Sequence, residues 1–374
     1  MCPVSITTGR ETLTPQAKMS RFARLHRGPL RGPVGTVQPH DEAEDQPGSS
    51  LPLYGCTGCG ACTTACLHGV EPATALMQGR FAVEAAGLGH PTLAELPERH
   101  RRRALSAAAA VADDAELAVR VAAAGEVAFL PTCLPRGSEE RGPADEARVA
   151  LRVCDRVRTA SPTLPAVGVA ALAGTAAAPG PGGCAGYPLY AGGFDESFRL
   201  HAESFARAIE NYSTLVVSCS ACTWLLRTQY QNHGVPVKPQ ILHTSELLAP
   251  HAAALPVKNQ VPTAAYHDPC HLGRRLGCYE PPRQLLRRAV AELHELPEHR
   301  THDESRCCGS GGLLPITDPG AAQAMARERL GDADPQHGPL VSGCPACQHH
   351  MAKSGDEAGP PVRDLLDILD EATR

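Results

Sequence analysis

One short stretch constrains this chain more than any other: Cys56-x2-Cys59-x2-Cys62-x3-Cys66, in CTGCGACTTAC. Two-residue spacers let successive thiolates reach different metal atoms of one compact centre from a tight loop. Gly58 and Gly60 let that loop curl, so its N–H groups can turn toward sulfur. This spacing is the signature of a [4Fe–4S] cluster, whereas zinc sites usually use two separated pairs. The fourth ligand stays open. In two-cluster ferredoxins the last Cys of such a run serves the other cluster. Here there is a single run, and Leu67 stands where Pro usually follows. Either Cys66 closes its own cluster or the ligand is remote, with Cys2 the candidate.

The remaining cysteines fall into an internal repeat. GEVAFLPTC (125–133) parallels TAAYHDPC (263–270), and CAGYP (184–188), with Gly192–Gly193 behind it, parallels CCGSGG (307–312). LVVSCSAC (215–222) parallels LVSGCPAC (340–347), and QILHTSELL (240–248) parallels PVRDLLDIL (361–369). Four blocks in one order argue for a duplicated unit of about 120 residues, a normal domain size. The second copy holds five thiols: Cys270, Cys307, Cys308, Cys344 and Cys347. The first holds four: Cys133, Cys184, Cys219 and Cys222, with Ala185 where Cys308 sits. Four thiols suit a cubane cluster, zinc or a degenerate structural copy. Cys154 and Cys278 lie outside the pattern, and Cys154 reads as a packed apolar residue of an amphipathic helix.

The expected fold class is α/β, with parallel sheets in both copies. Val127–Leu130 and Leu215–Val217 read as short strands, and Ala144–Val157 and Pro282–Leu293 as amphipathic helices. Cys133, Cys219, Cys270 and Cys344 each follow a strand, where open parallel sheets bind ligands. The expected organisation is a disordered tail over 1–50, a ferredoxin-type and helical region over 51–124, and duplicated units over 125–256 and 257–374.

Composition narrows the function. Sixteen Cys in 374 residues are too sparse for a disulfide scaffold. With no apolar segment at the start, a reducing, cytoplasmic setting is expected, where clustered Cys read as metal ligands or catalytic thiols. A net charge of −5 argues against a nucleic-acid partner. The uncharged stretch from Thr159 to Phe194 is too rich in Ala, Gly and Pro for a membrane span. Neither a Walker loop nor a GxGxxG motif is present, so no flavin or nucleotide site is expected on this chain. His267, Asp268 and His271 flank Cys270 and can relay protons, hydrogen-bond a cluster or simply shape the HDPC turn. The sequence singles out no catalytic residue.

Residues 51–374 resemble the CCG-domain iron–sulfur proteins related to heterodisulfide reductase, which include the iron–sulfur subunits of anaerobic glycerol-3-phosphate dehydrogenase, glycolate oxidase and lactate-utilisation systems. CTGCGACTTAC, HDPCHLGR (267–274), CCGSGG, SGCPAC (342–347), SCSAC (218–222) and CAGYP carry the resemblance. It implies a ferredoxin-like [4Fe–4S] motif followed by two α/β CCG domains. It also implies an iron–sulfur subunit that passes electrons from a flavin-linked oxidase or dehydrogenase toward a quinone or disulfide. The alternatives are a disulfide-reducing subunit and a non-redox, metal-stabilised binding module. By the same resemblance the five thiols of the second copy hold a further, non-cubane cluster. A partner would hold the protein at the inner face of the membrane. Ala185 and the single ferredoxin run depart from the family pattern.

Overall fold

The computed structural model describes residues 2–27, 51–133, 142–172, 180–356 and 359–374. Eight strands form two four-stranded, fully parallel sheets. The first contains β1 (Val127–Leu130), β2 (Val167–Val169), β3 (Thr214–Val217) and β4 (Gln240–His243). The second contains β5 (Val261–His267), β6 (Val290–His294), β7 (Leu340–Ser342) and β8 (Val362–Asp364). Their spatial orders are β2-β1-β3-β4 and β6-β5-β7-β8, the same topology twice. The paired sequence blocks fall on β1 and β5, β3 and β7, and β4 and β8.

The central strands are apolar on both faces because both faces are covered. Val127 and Phe129 of β1 enter one apolar cluster, while Ala128 and Leu130 enter another. In β3, Val216 takes the first side and Leu215 and Val217 the second. The first cluster spans both copies. The helix after β1 (Pro143–Ala160) packs on the helix after β8 (Leu365–Thr373), and the helix after β5 (Glu280–Ala289) packs on the helix after β4 (Thr244–Leu248). This exchange is what a pseudo-two-fold relation between the copies produces. Pro143–Ala160 starts on Pro at its first position and buries Ala147, Ala150, Leu151, Cys154 and Val157 along one stripe.

Three local expectations change. The helix expected over Pro282–Leu293 ends at Ala289, and Val290–Leu293 joins β6 beside β5. The apolar period of 282–289 runs straight into a strand, so periodicity alone hid the boundary. In the helical region expected up to residue 124 the last long helix ends at Ala112, followed by a one-turn helix at Ala115–Ala118, and Val119 and Val121 are exposed. Part of the expected disordered tail is ordered: Pro3–Thr8 and Pro15–Arg27 are helices. Val4 and Leu13 are buried against Leu314, Ala321, Ala322 and Met325, and Thr7 Oγ1 donates to Glu328 Oε2 at 2.7 Å. These anchors are too widely spaced to give the segment a period. Residues 28–50 lie outside the described residues. Among the described residues, no helix is long and apolar enough to cross a membrane.

One side chain ties the ferredoxin-like segment to both copies. Arg80, in the helix Pro72–Ala85, is fully buried. Its guanidinium donates to the carbonyls of Leu53 (2.8 and 3.2 Å), Cys56 (2.7 Å), Ala191 (2.6 Å) and Gly312 (2.9 Å). Arg80→Met keeps the apolar stem but strips these acceptors of their donor. Each buried polar group left unpaired costs about 1–3 kcal/mol. Thermal unfolding of the loaded protein should therefore begin several degrees lower. An unchanged midpoint would show that the carbonyls find other donors.

Candidate metal centre

The Cys56 run folds as its glycines require. Gly58 (φ 68°) and Gly60 (φ 78°) occupy the left-handed region, and Gly60 caps the one-turn helix Ala61–Thr64. The Gly58 N–H points at Cys56 Sγ, 3.4 Å away. A fourth thiol approaches from the start of the chain. Cys2, the cap of Pro3–Thr8, is raised by burial, an effect Lys18 opposes and Cys56 and Cys59 reinforce. Cys62 is pushed up to about 11 by burial, with Cys56, Cys59 and Cys2 adding. Lys18 is 1% exposed; its Nζ lies 3.5 Å from Cys2 Sγ and donates to the Gly55 carbonyl at 2.8 Å. Cys66 lies instead on a half-buried turn beside Leu67, which is 98% exposed.

The CCGSGG loop packs directly on this run. A Cβ at Gly312 would stand 2.0 Å from the Cys56 carbonyl, and one at Gly311 would stand 2.4 Å from that of Thr57. The glycine pair is thus a condition of contact. Through it Cys307 reaches both Cys59 and Cys270: burial and a hydrogen-bonded Cys307 raise both of those thiols, while Cys270 and Cys59 in turn draw Cys307 down. The Cys307 thiol lies 3.5 Å from Thr57 Oγ1. Arg274 spans the seam, with Nε donating to the Cys59 carbonyl at 2.8 Å and Nη1 to the Ser305 carbonyl. Its buried Nη2 has no hydrogen-bond partner.

From Cys307 the sulfurs continue inward. Hydrogen bonding with Cys307 and Cys347 holds Cys308 well below its ordinary range, and the Cys308 and Cys347 sulfurs are 3.2 Å apart. Cys344 is likewise held low, by Cys219 and then Cys347. Cys347 and Cys219 are pushed up. The five thiols of the second copy therefore form one set, and Cys219 and Cys222 of the first copy join it at Cys344. Both CxxC segments leave a strand for a helix with their first Cys as cap, before Ser220–Trp224 and Pro345–Ser354. His243 joins the two turns: its Nε2 is 3.0 Å from the Ser218 carbonyl and 2.8 Å from that of Gly343. With Nδ1 accepting from the Ser245 amide, Nε2 is the donor.

The sulfur contacts of the first copy divide into two pairs among the described residues. Cys133 meets Cys184, whose hydrogen bond raises it along with burial, while Arg103 opposes. Cys219 meets Cys222. Tyr230 stands between the pairs, feeling both Cys184 and Cys222 and donating to the Ala185 carbonyl at 2.8 Å. Ala185 is fully buried, so its methyl fills a site that would otherwise carry sulfur.

The HDPC turn serves two purposes. Asp268 is a fastener. Burial resists its ionisation, but Arg283, at 2.7 and 2.8 Å, holds it below the usual carboxylate range. The His302 amide adds a bond at 2.8 Å. This ties the Cys270 turn to the segment leading into Cys307. His271 lies 3.5 Å from Cys270 Sγ and is lowered to about 3 by burial and then by Arg275, so its ring is neutral. His267 lies within 4.8 Å of both Cys308 and Cys347. Sequence reasoning passed over Arg80, Lys18 and His243. An Arg flanked by buried Leu76, Met77 and Val83 was the available sign for the first, and a His aligned with Asp364 at a strand end for the last.

The family comparison falls on the same thiols. Residues 264–352 match the model of the Cysteine-rich domain family, CCG. That match lies within the second copy. One subunit of the fumarate reductase (CoM/CoB) of Methanothermobacter marburgensis is 29% identical over 199 residues, 50% of this chain and 38% of that protein. One subunit of the dihydromethanophenazine:CoB–CoM heterodisulfide reductase of Methanosarcina barkeri is 26% identical over 191 residues, 46% of each chain. A probable membrane-anchored ferredoxin of Chromohalobacter salexigens is 40% identical over 115 residues, 29% of this chain and 17% of that one. The matches thus span less than half the length of these relatives. No solved structure matches. The chain is thus similar, over residues 264–352, to the cysteine-rich CCG family and, over less than half of each relative, to subunits of heterodisulfide reductase and of a fumarate reductase.

Gly312→Ala tests how the CCG loop meets the Cys56 run. Its Cβ would meet the Cys56 carbonyl at 2.0 Å in a left-handed backbone, so the loops must part. Iron content and thermal midpoint should both fall, and full retention of both would contradict the contact. Gly320→Ala, where a Cβ meets nothing closer than 3.8 Å, is the control.

Proposed function

We propose that the chain is the electron-transfer subunit of an oxidoreductase, with a [4Fe–4S] centre on Cys2, Cys56, Cys59 and Cys62 and a second centre on Cys270, Cys307, Cys308, Cys344 and Cys347. The observations that support this most are the 3.2 Å approach of the Cys308 and Cys347 sulfurs and, across the seam, the mutual influence of Cys59 and Cys307 on each other's acidity. In this reading Cys2, which lies beside Lys18 and feels Cys56 and Cys59, would supply the fourth ligand in place of Cys66. Cys219 and Cys222 support the second centre at Cys344, and the Cys133–Cys184 pair is structural. Residues 125–256 and 257–374 are taken as the duplicated units.

The residues present suit such groups. The donors are soft, buried thiols, the ligand type that selects iron–sulfur clusters. Two buried nitrogens beside them, Arg274 Nη2 and His267 Nε2, have no protein partner. Clusters held there would exchange one electron at a time. The chain's own residues set the conditions. Lys18 and Arg274 place positive charge beside the sulfurs, which favours the reduced state, and burial keeps water from them. An open cavity of about 480 Å³, lined by Gly60, Thr63, Trp224, Arg274 and Arg275, gives a partner access to the Cys59–Cys62 loop.

The donor in this reading is a reduced flavin on a partner subunit and the acceptor is a quinone or a disulfide. The disulfide consumes two electrons and two protons as its S–S bond breaks into two thiols. Two of the named relatives are subunits of larger enzymes, which supports a place in a complex. Anaerobic protein reduced by a flavin hydroquinone should lose its visible absorption and regain it on addition of a quinone or a mixed disulfide, and the responding acceptor identifies the class. Recovery with neither, at full iron and sulfide content, would contradict the proposal. Cys2→Ser should remove the N-terminal centre's iron and Cys66→Ser should leave it. The reverse would restore Cys66 as ligand.

A further inference from the structure

His267 ends β5, three residues before Cys270, and is 1% exposed. A ring nitrogen and the sulfurs of Cys308 and Cys347 lie within 4.8 Å of one another, close enough for a metal ion to use all three. The hydrogen-bonding on the ring decides against ligation. Arg329, itself fully buried, donates its Nε–H to His267 Nδ1 at 2.8 Å. An arginine has only donors to offer, so Nδ1 must be the acceptor and must lack a proton. The neutral ring then carries its proton on Nε2, which is buried and has no protein partner. An Nε2 that holds a hydrogen has no lone pair for iron; it has a bond to give.

Arg329 is in turn held in place. Its Nη1 donates to the Arg300 carbonyl at 2.7 Å and pairs with Asp332 at 3.3 Å. The guanidinium thus cannot rotate away without breaking both, and the tautomer of His267 is fixed from behind.

We propose that His267 is a positioning residue of the second centre, giving its Nε2–H to sulfur at the Cys308–Cys347 end, with Arg329 selecting that tautomer. This rests on the iron–sulfur reading of the five thiols. Hydrogen bonds to cluster sulfur stabilise the reduced form and raise the reduction potential. The ligand set stays all-thiolate, and His267 tunes it from outside.

The test separates this inference from the reading beneath it. Iron and sulfide are first measured in the wild-type protein and each variant, and their absence from the wild type would refute the cluster reading itself. With clusters present, His267→Leu should shift the second centre's potential downward at unchanged iron content, and His267→Gln, which keeps an N–H donor, should restore most of the shift. An unchanged or raised potential in the Leu variant would overturn the role. Should both variants lose the centre, the wild-type protein still decides. Histidine labelled with 15N should show only the weak hyperfine coupling of a hydrogen-bonded ring. A strong, directly bonded coupling would make His267 a ligand and refute the proposal.

Discussion

The arrangement depends on one buried cation that has chosen carbonyls over carboxylates. Arg80 gathers backbone oxygens from the ferredoxin-like segment (Leu53, Cys56), the first copy (Ala191) and the second (Gly312). A planar guanidinium with five fixed donors can satisfy acceptors that converge from three directions, which a lysine cannot. The glycine pairs of the repeat complete this junction. Gly312 lies against Cys56, and Gly193 lies so close to Arg80 that a Cβ would come within 2.5 Å of its backbone. Gly193 of the first copy thus lies against the Arg80 helix, while Gly311 and Gly312 of the second lie against the Cys56 run.

Duplication explains much of the rest. Two sheets of identical order, related by a pseudo-two-fold, bring the helix ends that carry the CxxC pairs face to face, and His243 locks them through Ser218 and Gly343. The symmetry is broken in chemistry rather than in fold. Where the second copy has Cys308, the first has a buried Ala185 with Tyr230 hydrogen-bonded to its carbonyl. Five thiols therefore collect on one side, while on the other Cys133 and Cys184 stand as a pair.

Much of this was legible in the sequence because it depends on short-range spacing. The blocks that end in Cys133, Cys222, Cys270 and Cys347 located four strands, β1, β3, β5 and β7, since each of them carries its own strand and the turn behind it. The cysteine blocks likewise placed the CCG thiols on adjacent turns. What the sequence withheld depends on distant contact. Cys2 gains meaning only when Pro3–Thr8 docks on Pro319–Leu330, and no local pattern records that docking. Val290–Leu293 continued a helical period into a strand because pairing with β5 outweighed it. Arg80 resembled any helical arginine until its carbonyl partners came together from residues 53 to 312. His267 could be read as a turn residue, a proton relay or a hydrogen-bond donor to a cluster, and the arginine behind it bears on that choice.

The central claim is that the Cys56 run and the CCG thiols form one continuous array, joined where Cys59 meets Cys307. The most direct measurement is EPR of the anaerobically prepared protein as it is reduced in steps. Centres this close must interact magnetically once both are paramagnetic. The account predicts signals that are resolved when one centre is reduced and become broadened or split when both are. Two signals that remain sharp and independent at full reduction would contradict it.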